Sequence, residues 1–212
     1  MARVKICGLT RPQDYQACRL AGADWIGLVH FARSPRHLEE AEMARLAADF
    51  ADDGPKPVLL SVDEKPEVLA RLVAAAKPAM LQLHGQESPA DCDRLRQQFG
   101  LPVMKAIRVK GRADIDKAAA YAGKADWLLF DAAPSGASLP GGTGHQLDWG
   151  LLDGAEIPLP WMLAGGLRPD NLAGALATSG ATALDVSSGV ENTAGEKDAS
   201  LISAFVSAAK IR

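Results

Sequence analysis

Two side chains that can transfer protons stand at the ends of predicted strands. Cys7 closes the short run Val4–Cys7, and Asp131 closes the apolar run Trp127–Asp131. A thiolate can act as a base or a nucleophile, and a partly buried carboxyl with a raised pKa is a suitable general acid. Each residue also has a structural interpretation, because free cysteines are commonly small buried hydrophobes and an aspartate can cap the following loop. Both interpretations stay open on the residue types alone.

An anion site is predicted where two other strands end in small residues. Both loops follow a short apolar strand, and their residues are Gly165, Gly166, Ser187, Ser188 and Gly189. Such residues let backbone N–H groups face a ligand. Barrels of eight βα units often hold a phosphate with the loops after strands 7 and 8. The pattern therefore predicts a phosphate site formed by these two loops.

Three polar side chains fall in segments that would reach the same end of such a barrel. Arg36 follows predicted strand 2, and its planar fork suits a carboxylate or a phosphate. From its type alone, a solvated loop charge is the favoured interpretation of Arg36. Gln82 and His84 alternate along predicted strand 4, so both are expected to face the interior near the rim. A histidine in that place more often orients a partner than catalyses.

Other titratable residues are interpreted as structural. Alternation along strand 1 puts Lys5 beside Cys7 on the inner face, and strand 8 would place Asp185 next to Lys5, which predicts a buried ion pair. The pair Asp63–Glu64 is expected to cap the following helix. The remaining histidines are expected to be structural or on the surface, namely His30, His37 and His145. No spacing of His, Asp or Glu indicates a metal site.

Short apolar segments alternate with longer amphipathic ones, which is typical of βα units around a parallel sheet. Eight strands are predicted, at Val4–Cys7, Asp24–His30, Lys56–Val62, Ala79–His84, Pro102–Ile107, Asp126–Asp131, Trp161–Ala164 and Thr182–Val186. Helices are predicted at Pro12–Ala21, Leu38–Phe50, Pro66–Ala76, Pro89–Phe99, Ala113–Ala122, Asp148–Leu152, Pro169–Thr178 and Lys197–Lys210. The pattern predicts a single (β/α)8 TIM barrel.

A glycine-rich segment, Pro134–Gly144, interrupts this rhythm after the sixth strand. Its length exceeds a minimal connection, which is typical of binding loops. An open doubly wound sheet is the alternative architecture. Its first βα turn would carry a G-x-G-x-x-G, and the run Cys7–Thr10 does not, so the barrel is favoured.

Composition bounds the class of protein. The 212 residues suit one domain, 1–212, and 48% hydrophobic with 23% charged content is ordinary for a chain with a sizeable core. A net charge of −3 offers no general attraction to nucleic acid or anionic membranes. Three cysteines without a C-x-x-C favour a reducing compartment, with Cys18 and Cys92 structural. No secretory or membrane-spanning segment is recognised, so a cytoplasmic location is expected. The oligomeric state is left open.

Taken together, several motifs closely resemble the phosphoribosylanthranilate isomerase family of tryptophan biosynthesis. They occur in family order from residue 3 to beyond 200, as Lys5–Gly8, Ser34–Arg36, Leu81–Gly85, Leu163–Leu167 and Asp185–Glu191. The resemblance implies a (β/α)8 barrel without metal or organic cofactor. It also implies an Amadori rearrangement of N-(5-phosphoribosyl)anthranilate, a small phosphosugar.

The same resemblance implies roles for individual residues. It puts the general base at Cys7, the general acid at Asp131 and the residue that binds the substrate carboxylate at Arg36. The phosphate would rest on the two loops that carry the small residues. The chain departs from the family pattern at His145, where lysine is common, and at Val29–Phe31, where aromatic residues are usual.

Two other functions remain as alternatives. A sister barrel, the aminoaldose isomerase of histidine biosynthesis, has a similar phosphate site and reaction, but that family pairs acidic residues, whereas strand 1 here ends in Cys7. The other alternative is a barrel that binds a phosphometabolite without turnover. The joint presence of Cys7, Asp131 and Arg36 disfavours it.

Overall fold

Eight short strands close into one parallel barrel in the order β1 to β8, with β8 pairing to β1. The structure is a computed structural model and describes residues 1–133 and 147–210. The strands are β1 (Arg3–Cys7), β2 (Trp25–His30), β3 (Lys56–Ser61), β4 (Met80–Leu83), β5 (Val103–Val109), β6 (Trp127–Ala132), β7 (Trp161–Leu163) and β8 (Ala183–Val186). This confirms the predicted barrel and all eight strands.

The helices lie outside the barrel. They are α1 (Pro12–Ala21), α2 (Glu40–Ala47), α3 (Pro66–Ala76), α4 (Pro89–Phe99), α5 (Arg112–Asp116), α6 (Leu172–Ser179) and α7 (Ala199–Lys210). Proline occupies the first turn of α1, α3 and α4, where a missing N–H costs nothing. The predictions for α1, α3 and α4 match to the residue.

Two helix predictions and one cap prediction need correction. The segment predicted as one helix at 113–122 is α5 followed by the 3-10 helix Lys117–Tyr121. The helix predicted at 148–152 is a single 3-10 turn, Trp149–Leu152. The predicted cap of α3 is also wrong, because Lys65 precedes that helix without a side-chain cap and Asp63 instead accepts the N–H of Gln86 at 2.5 Å.

Alternation along each strand divides the side chains between two surfaces. Outward residues such as Ile6 and Leu128 join the large apolar core under the helices. Inward residues at the bottom of the barrel form a separate apolar cluster that includes Met104 and Met162. This layer closes the barrel from below, and the buried polar inward side chains Lys5, Gln82 and Asp131 lie above it, toward the C-terminal ends of the strands.

A small hairpin after β8 was not predicted from the sequence. A 3-10 turn at Ser188–Val190 leads into two antiparallel strands, β9 (Glu191–Thr193) and β10 (Glu196–Lys197). The hairpin packs at the barrel mouth, where Thr10 donates its hydroxyl to the Gly195 carbonyl at 2.9 Å. Gly195 has a φ of 87° and lies against the Pro35 carbonyl. The hairpin therefore contacts the loops after β1 and β2.

No helix among residues 1–133 and 147–210 is both long and apolar enough to cross a membrane. The predicted glycine-rich loop and His145 lie outside the described residues.

Candidate active site

Cys7 ends β1 and points into the barrel mouth. Its side chain is buried against Val29 and Leu60. Gly27 on β2 makes room for it, because a Cβ at that position would lie 2.7 Å from the sulfur. Burial raises the pKa of the Cys7 thiol, although the nearby Lys5 ammonium acts in the opposite direction. The resting thiol is thus protonated at neutral pH.

Lys5 and Asp185 form the predicted ion pair inside the barrel. The Lys5 ammonium donates to the Asp185 carboxylate at 2.8 Å, and the lysine is fully buried. Burial lowers the pKa of Lys5, but the attractions and hydrogen bonds of Asp185 and Cys7 together outweigh it, so the net direction is upward. The pair lies one residue layer below Cys7, as the register of β1 on β8 requires.

Asp131 lies at the upper end of β6 with its carboxyl in the barrel mouth. Its nearest polar neighbour is His84, with 3.4 Å between Nε2 and Oδ2, and both side chains are buried. His84 in turn contacts the Gln82 amide nitrogen through Nδ1 at 3.1 Å. The His84 Nε2 atom and the Gln82 carbonyl oxygen have no hydrogen-bond partner among the described residues. The two side chains therefore form a buried polar wall beside Asp131, with groups left to bind a ligand.

Arg108 belongs to the same wall and was missed in the sequence. It is paired in register with Asp131 on the neighbouring strand and donates to the His84 carbonyl at 2.9 Å. Its Nε atom is buried without a partner within the described part of the chain. Alternation along β5 would have predicted Arg108 as a site residue, because Met104, Ala106 and Arg108 share the inner face of that strand.

Arg36 is buried, which overturns its interpretation as a solvated loop charge. Its guanidinium donates to both carboxylate oxygens of Glu191, through Nε at 2.8 Å and Nη2 at 2.6 Å. Its methylene groups pass over Gly8, whose φ of 81° and missing side chain permit the contact. Arg36 therefore lies beside the end of β1, within the same mouth as Cys7.

Glu191 and Lys197 of the hairpin were also missed. The Lys197 ammonium contacts Glu191 at 2.5 Å and donates to the backbone oxygen and the hydroxyl of Ser187, both at 3.2 Å. Burial opposes ionisation of Glu191, but hydrogen bonds from Arg36 and Lys197 outweigh it and lower its pKa. No periodic pattern marks these residues, because the hairpin is too short to show one.

The loops after β7 and β8 pack closely together at the barrel mouth. Gly165 and Gly166 have φ values of 88° and 67°, and their N–H groups donate to no acceptor within residues 1–133 and 147–210. A side chain at Gly189 would collide with the Leu167 carbonyl. The Ser187 hydroxyl is already engaged, since it donates to the Cys7 carbonyl at 2.9 Å. The two loops therefore offer an anion mainly backbone N–H groups.

His30, His37 and Glu39 form a further cluster of groups that could in principle hold a metal. Their ligand atoms lie within 4.8 Å of one another. His37 Nδ1 accepts the Phe31 N–H at 3.0 Å, so a neutral ring carries its proton on Nε2, which faces Glu39 at 3.0 Å. That nitrogen then has no lone pair for a metal. The cluster instead anchors the loop that carries Arg36, with His30 bonded to the Leu38 carbonyl at 3.1 Å.

The upper barrel thus combines a thiol, a carboxyl, a buried arginine and a concentration of backbone N–H groups. Cys7 and Asp131 come from strands that are three positions apart around the eight-stranded barrel. A small ligand seated between them would meet the thiol and the carboxyl on different sides. The arrangement suits proton transfer on a doubly anionic metabolite.

Comparison with known proteins identifies similar chains. Residues 4–208 match the family model described as N-(5'phosphoribosyl)anthranilate (PRA) isomerase. The N-(5'-phosphoribosyl)anthranilate isomerase of Rhodospirillum rubrum is 47% identical over 211 residues, which cover 98% of this chain and 97% of the relative.

Solved structures of the same family are similar as well. The phosphoribosyl anthranilate isomerase of Thermotoga maritima has a TM-score of 0.87 and 31% identity, with 99% of each chain covered. A second structure, with a TM-score of 0.86, 29% identity and 99% of each chain covered, is a complex of the isomerase with reduced 1-(o-carboxyphenylamino)-1-deoxyribulose 5-phosphate.

Proposed function

Because the chain belongs to the N-(5'-phosphoribosyl)anthranilate isomerase family, and is thereby an isomerase of tryptophan biosynthesis, we propose how its own residues carry out the reaction. Asp131 is the general acid and Cys7 the general base of an Amadori rearrangement. The substrate is N-(5-phosphoribosyl)anthranilate, and the product is the carboxyphenylamino-deoxyribulose phosphate. The observation that carries the proposal is that both side chains are buried at the barrel mouth and reach it from different sides.

The first step opens the sugar ring. Asp131 donates its proton to the ring oxygen while the bond from that oxygen to C1′ breaks, and the nitrogen lone pair forms a C1′=N Schiff base. In the reactive form the single proton shared by the two groups is on Asp131, which leaves Cys7 as a thiolate. In the second step this thiolate removes the proton on C2′, and the electron pair moves through C1′ to neutralise the nitrogen. The resulting enolamine tautomerises to the ketone. Neither step changes the overall oxidation state, so no external oxidant or reductant is needed.

Two further sites hold the ends of the substrate. Arg36 binds the anthranilate carboxylate with the donors that Glu191 leaves free. The phosphate rests on the loops after β7 and β8, through the residues Gly165, Gly166, Ser187, Ser188 and Gly189. Holding both ends fixes the sugar between acid and base, which is the main source of rate in such a site. Gln82 and His84 line the side of the pocket next to Asp131.

We also propose that residues 1–212 act as one barrel domain in the cytoplasm, without metal or organic cofactor. All three cysteines are free and buried, which suits a reducing compartment. Neither nucleic acid nor a membrane is expected as a partner.

Steady-state assays with phosphoribosylanthranilate, and separately with the aminoaldose of the histidine pathway, test the assignment. The wild type is expected to turn over phosphoribosylanthranilate. The variants Cys7→Ser and Asp131→Asn are expected to lose most of kcat but still to bind a product analogue. Turnover that survives both substitutions overturns the two roles. Binding without turnover in the wild type would indicate a binding module, and preference for the histidine intermediate would indicate the sister isomerase.

A further inference from the structure

The hairpin of β9 and β10 carries two buried charges for which the proposed chemistry has no step. The side chains of Glu191 and Lys197 are 4% and 0% exposed. Exposed hairpins of this length usually carry solvated charges, and burying a charge is costly unless it is paired. Glu191 and Lys197 contact each other, and each also contacts a residue of the site, Arg36 in the case of Glu191 and Ser187 in the case of Lys197. The cost of burying them suggests a function in the site.

Glu191 determines where the Arg36 guanidinium can be. Two parallel bonds, 2.8 and 2.6 Å long, fix both the plane and the rotation of the guanidinium. A guanidinium has five N–H donors, so the bidentate contact leaves others available to a ligand. An arginine without such a partner would have to lose its side-chain freedom when the ligand binds.

Lys197 connects Glu191 to the rest of the site. Its ammonium contacts Glu191, the Ser187 carbonyl and the Ser187 hydroxyl, and that hydroxyl donates to the Cys7 carbonyl at 2.9 Å. The chain of contacts therefore runs from the arginine through the hairpin to the phosphate loop and the end of β1.

We propose that Glu191 and Lys197 are positioning residues that set specificity for the substrate carboxylate. Glu191 holds the Arg36 guanidinium in the orientation that binds the carboxylate. Lys197 fixes the position of Glu191 and Arg36 relative to Cys7 and to the loop after β8, which is the phosphate loop. The proposal rests on the proposed function, in which Arg36 binds the carboxylate.

The charges of the cluster support this role. Arg36 and Lys197 are two cations around one carboxylate, so with all three ionised the cluster has one excess positive charge. A bound carboxylate neutralises that excess, whereas a ligand without one leaves it uncompensated in a buried place. The cluster is thus prepared for an anion before the substrate arrives.

The test compares two ligands, reduced 1-(o-carboxyphenylamino)-1-deoxyribulose 5-phosphate and the same compound without the ring carboxylate. The ratio of their dissociation constants measures carboxylate recognition separately from phosphate binding. It is measured by calorimetry for the wild type, Glu191→Gln, Glu191→Ala, Lys197→Met and Arg36→Ala. Glu196→Gln is the matched control, since Glu196 lies on the same hairpin with a mostly exposed side chain.

Glu191→Ala is expected to reduce the preference for the carboxylated ligand by about 100-fold, because a misplacement of about 1 Å can cost that much. The isosteric Glu191→Gln should reduce it less, and both should bind the decarboxylated ligand as the wild type does. Lys197→Met should weaken both ligands, but the carboxylated ligand more, because Lys197 contacts both Glu191 and the phosphate loop. Equal weakening of the two ligands would indicate a general loss of packing instead. The double variant Arg36→Ala/Glu191→Ala should lose no more preference than Arg36→Ala alone.

The outcomes separate the two proposals. If Arg36→Ala keeps the preference, Arg36 does not bind the carboxylate and the proposed function fails at that residue. If Arg36→Ala loses the preference while both Glu191 variants keep it, only the positioning role is overturned. Equal weakening of both ligands by Glu191→Gln would also overturn it, because a general loss of packing has that effect. Unchanged binding by Lys197→Met would remove Lys197 from the proposal.

Discussion

Cys7 predicts a particular pH dependence of activity. In the proposed mechanism the reactive form holds one proton between Asp131 and Cys7, and activity falls when that proton is lost. Because burial raises the pKa of Cys7 above its ordinary value of 9.0, the alkaline limb of the kcat/KM profile should lie above pH 9. Measurement of kcat/KM against pH, together with thiolate absorbance, checks this expectation.

The other two thiols serve as references in that titration. Burial raises the pKa of Cys18 and of Cys92 to about 12, so both should stay protonated until well above neutral pH in the folded protein. Circular dichroism at each pH separates loss of activity from unfolding. An alkaline limb below pH 8 in a folded protein would contradict the buried, protonated thiol.

The Lys5–Asp185 pair predicts a large effect on stability. Lys5→Met leaves the Asp185 carboxylate buried without its partner, and breaking such a pair typically costs about 3–5 kcal/mol. The double variant Lys5→Met/Asp185→Leu removes both charges and should recover much of the loss. Urea unfolding of the three proteins measures the free energies of unfolding. A double variant less stable than Lys5→Met would contradict the expected recovery, and the difference between the double variant and the wild type measures the net contribution of the pair.

Strand β2 makes room for the Cys7 thiol at Gly27. Gly27→Ala would place a Cβ 2.7 Å from the Cys7 sulfur and 3.0 Å from its Cα. Overpacking of this kind costs about 1–3 kcal/mol. Because the collision involves Cys7, the proposed base, kcat should fall more than the loss of stability would explain. Kinetics and thermal unfolding of the same preparation measure the two effects.

Gly174→Ala is the matched control for that substitution. Gly174 lies within α6, and a Cβ there meets nothing closer than 3.6 Å. Alanine in a helix is favoured over glycine by about 0.5–1 kcal/mol, so this variant should be as stable as the wild type or more so, with unchanged kcat. A Gly27→Ala variant that behaves in the same way would refute the steric account of β2.

The β9–β10 hairpin shows which parts of a chain escape pattern analysis. Helices α1, α3 and α4 can be predicted from the sequence because each has proline in its first turn and an apolar periodicity over ten or more residues. The hairpin has strands of three and two residues, too few to establish alternation. The sequence-based prediction consequently missed Glu191 and Lys197 as site residues, although both are plainly visible in the fold.

The free energy of unfolding of the whole molecule should depend on pH through Glu191. The carboxylate has a pKa below its ordinary 4.5 because the bonds from Arg36 and Lys197 outweigh burial. A lowered pKa contributes stability above about pH 4.5, and this contribution is lost as the pH falls through the folded-state pKa. The difference in unfolding free energy between the wild type and Glu191→Gln should therefore be constant at higher pH and shrink below pH 4.5. Urea unfolding at several pH values measures it. A difference that grows on acidification would reverse the sign and contradict the pairing.

The sequence by itself determined the barrel, its eight strands and the Lys5–Asp185 pair. These follow from local periodicity and from the rule that the first and last strands of a closed barrel are neighbours. The same alternation indicated that Cys7 points inward.

Only the tertiary structure decided how Arg36 is held. Its partner Glu191 lies 155 residues away, on a hairpin without a periodic pattern, and no local rule distinguishes a buried arginine from a solvated one. Side-chain type sets which contacts are chemically possible, whereas the closed barrel brings distant loops to one mouth and thereby selects among them.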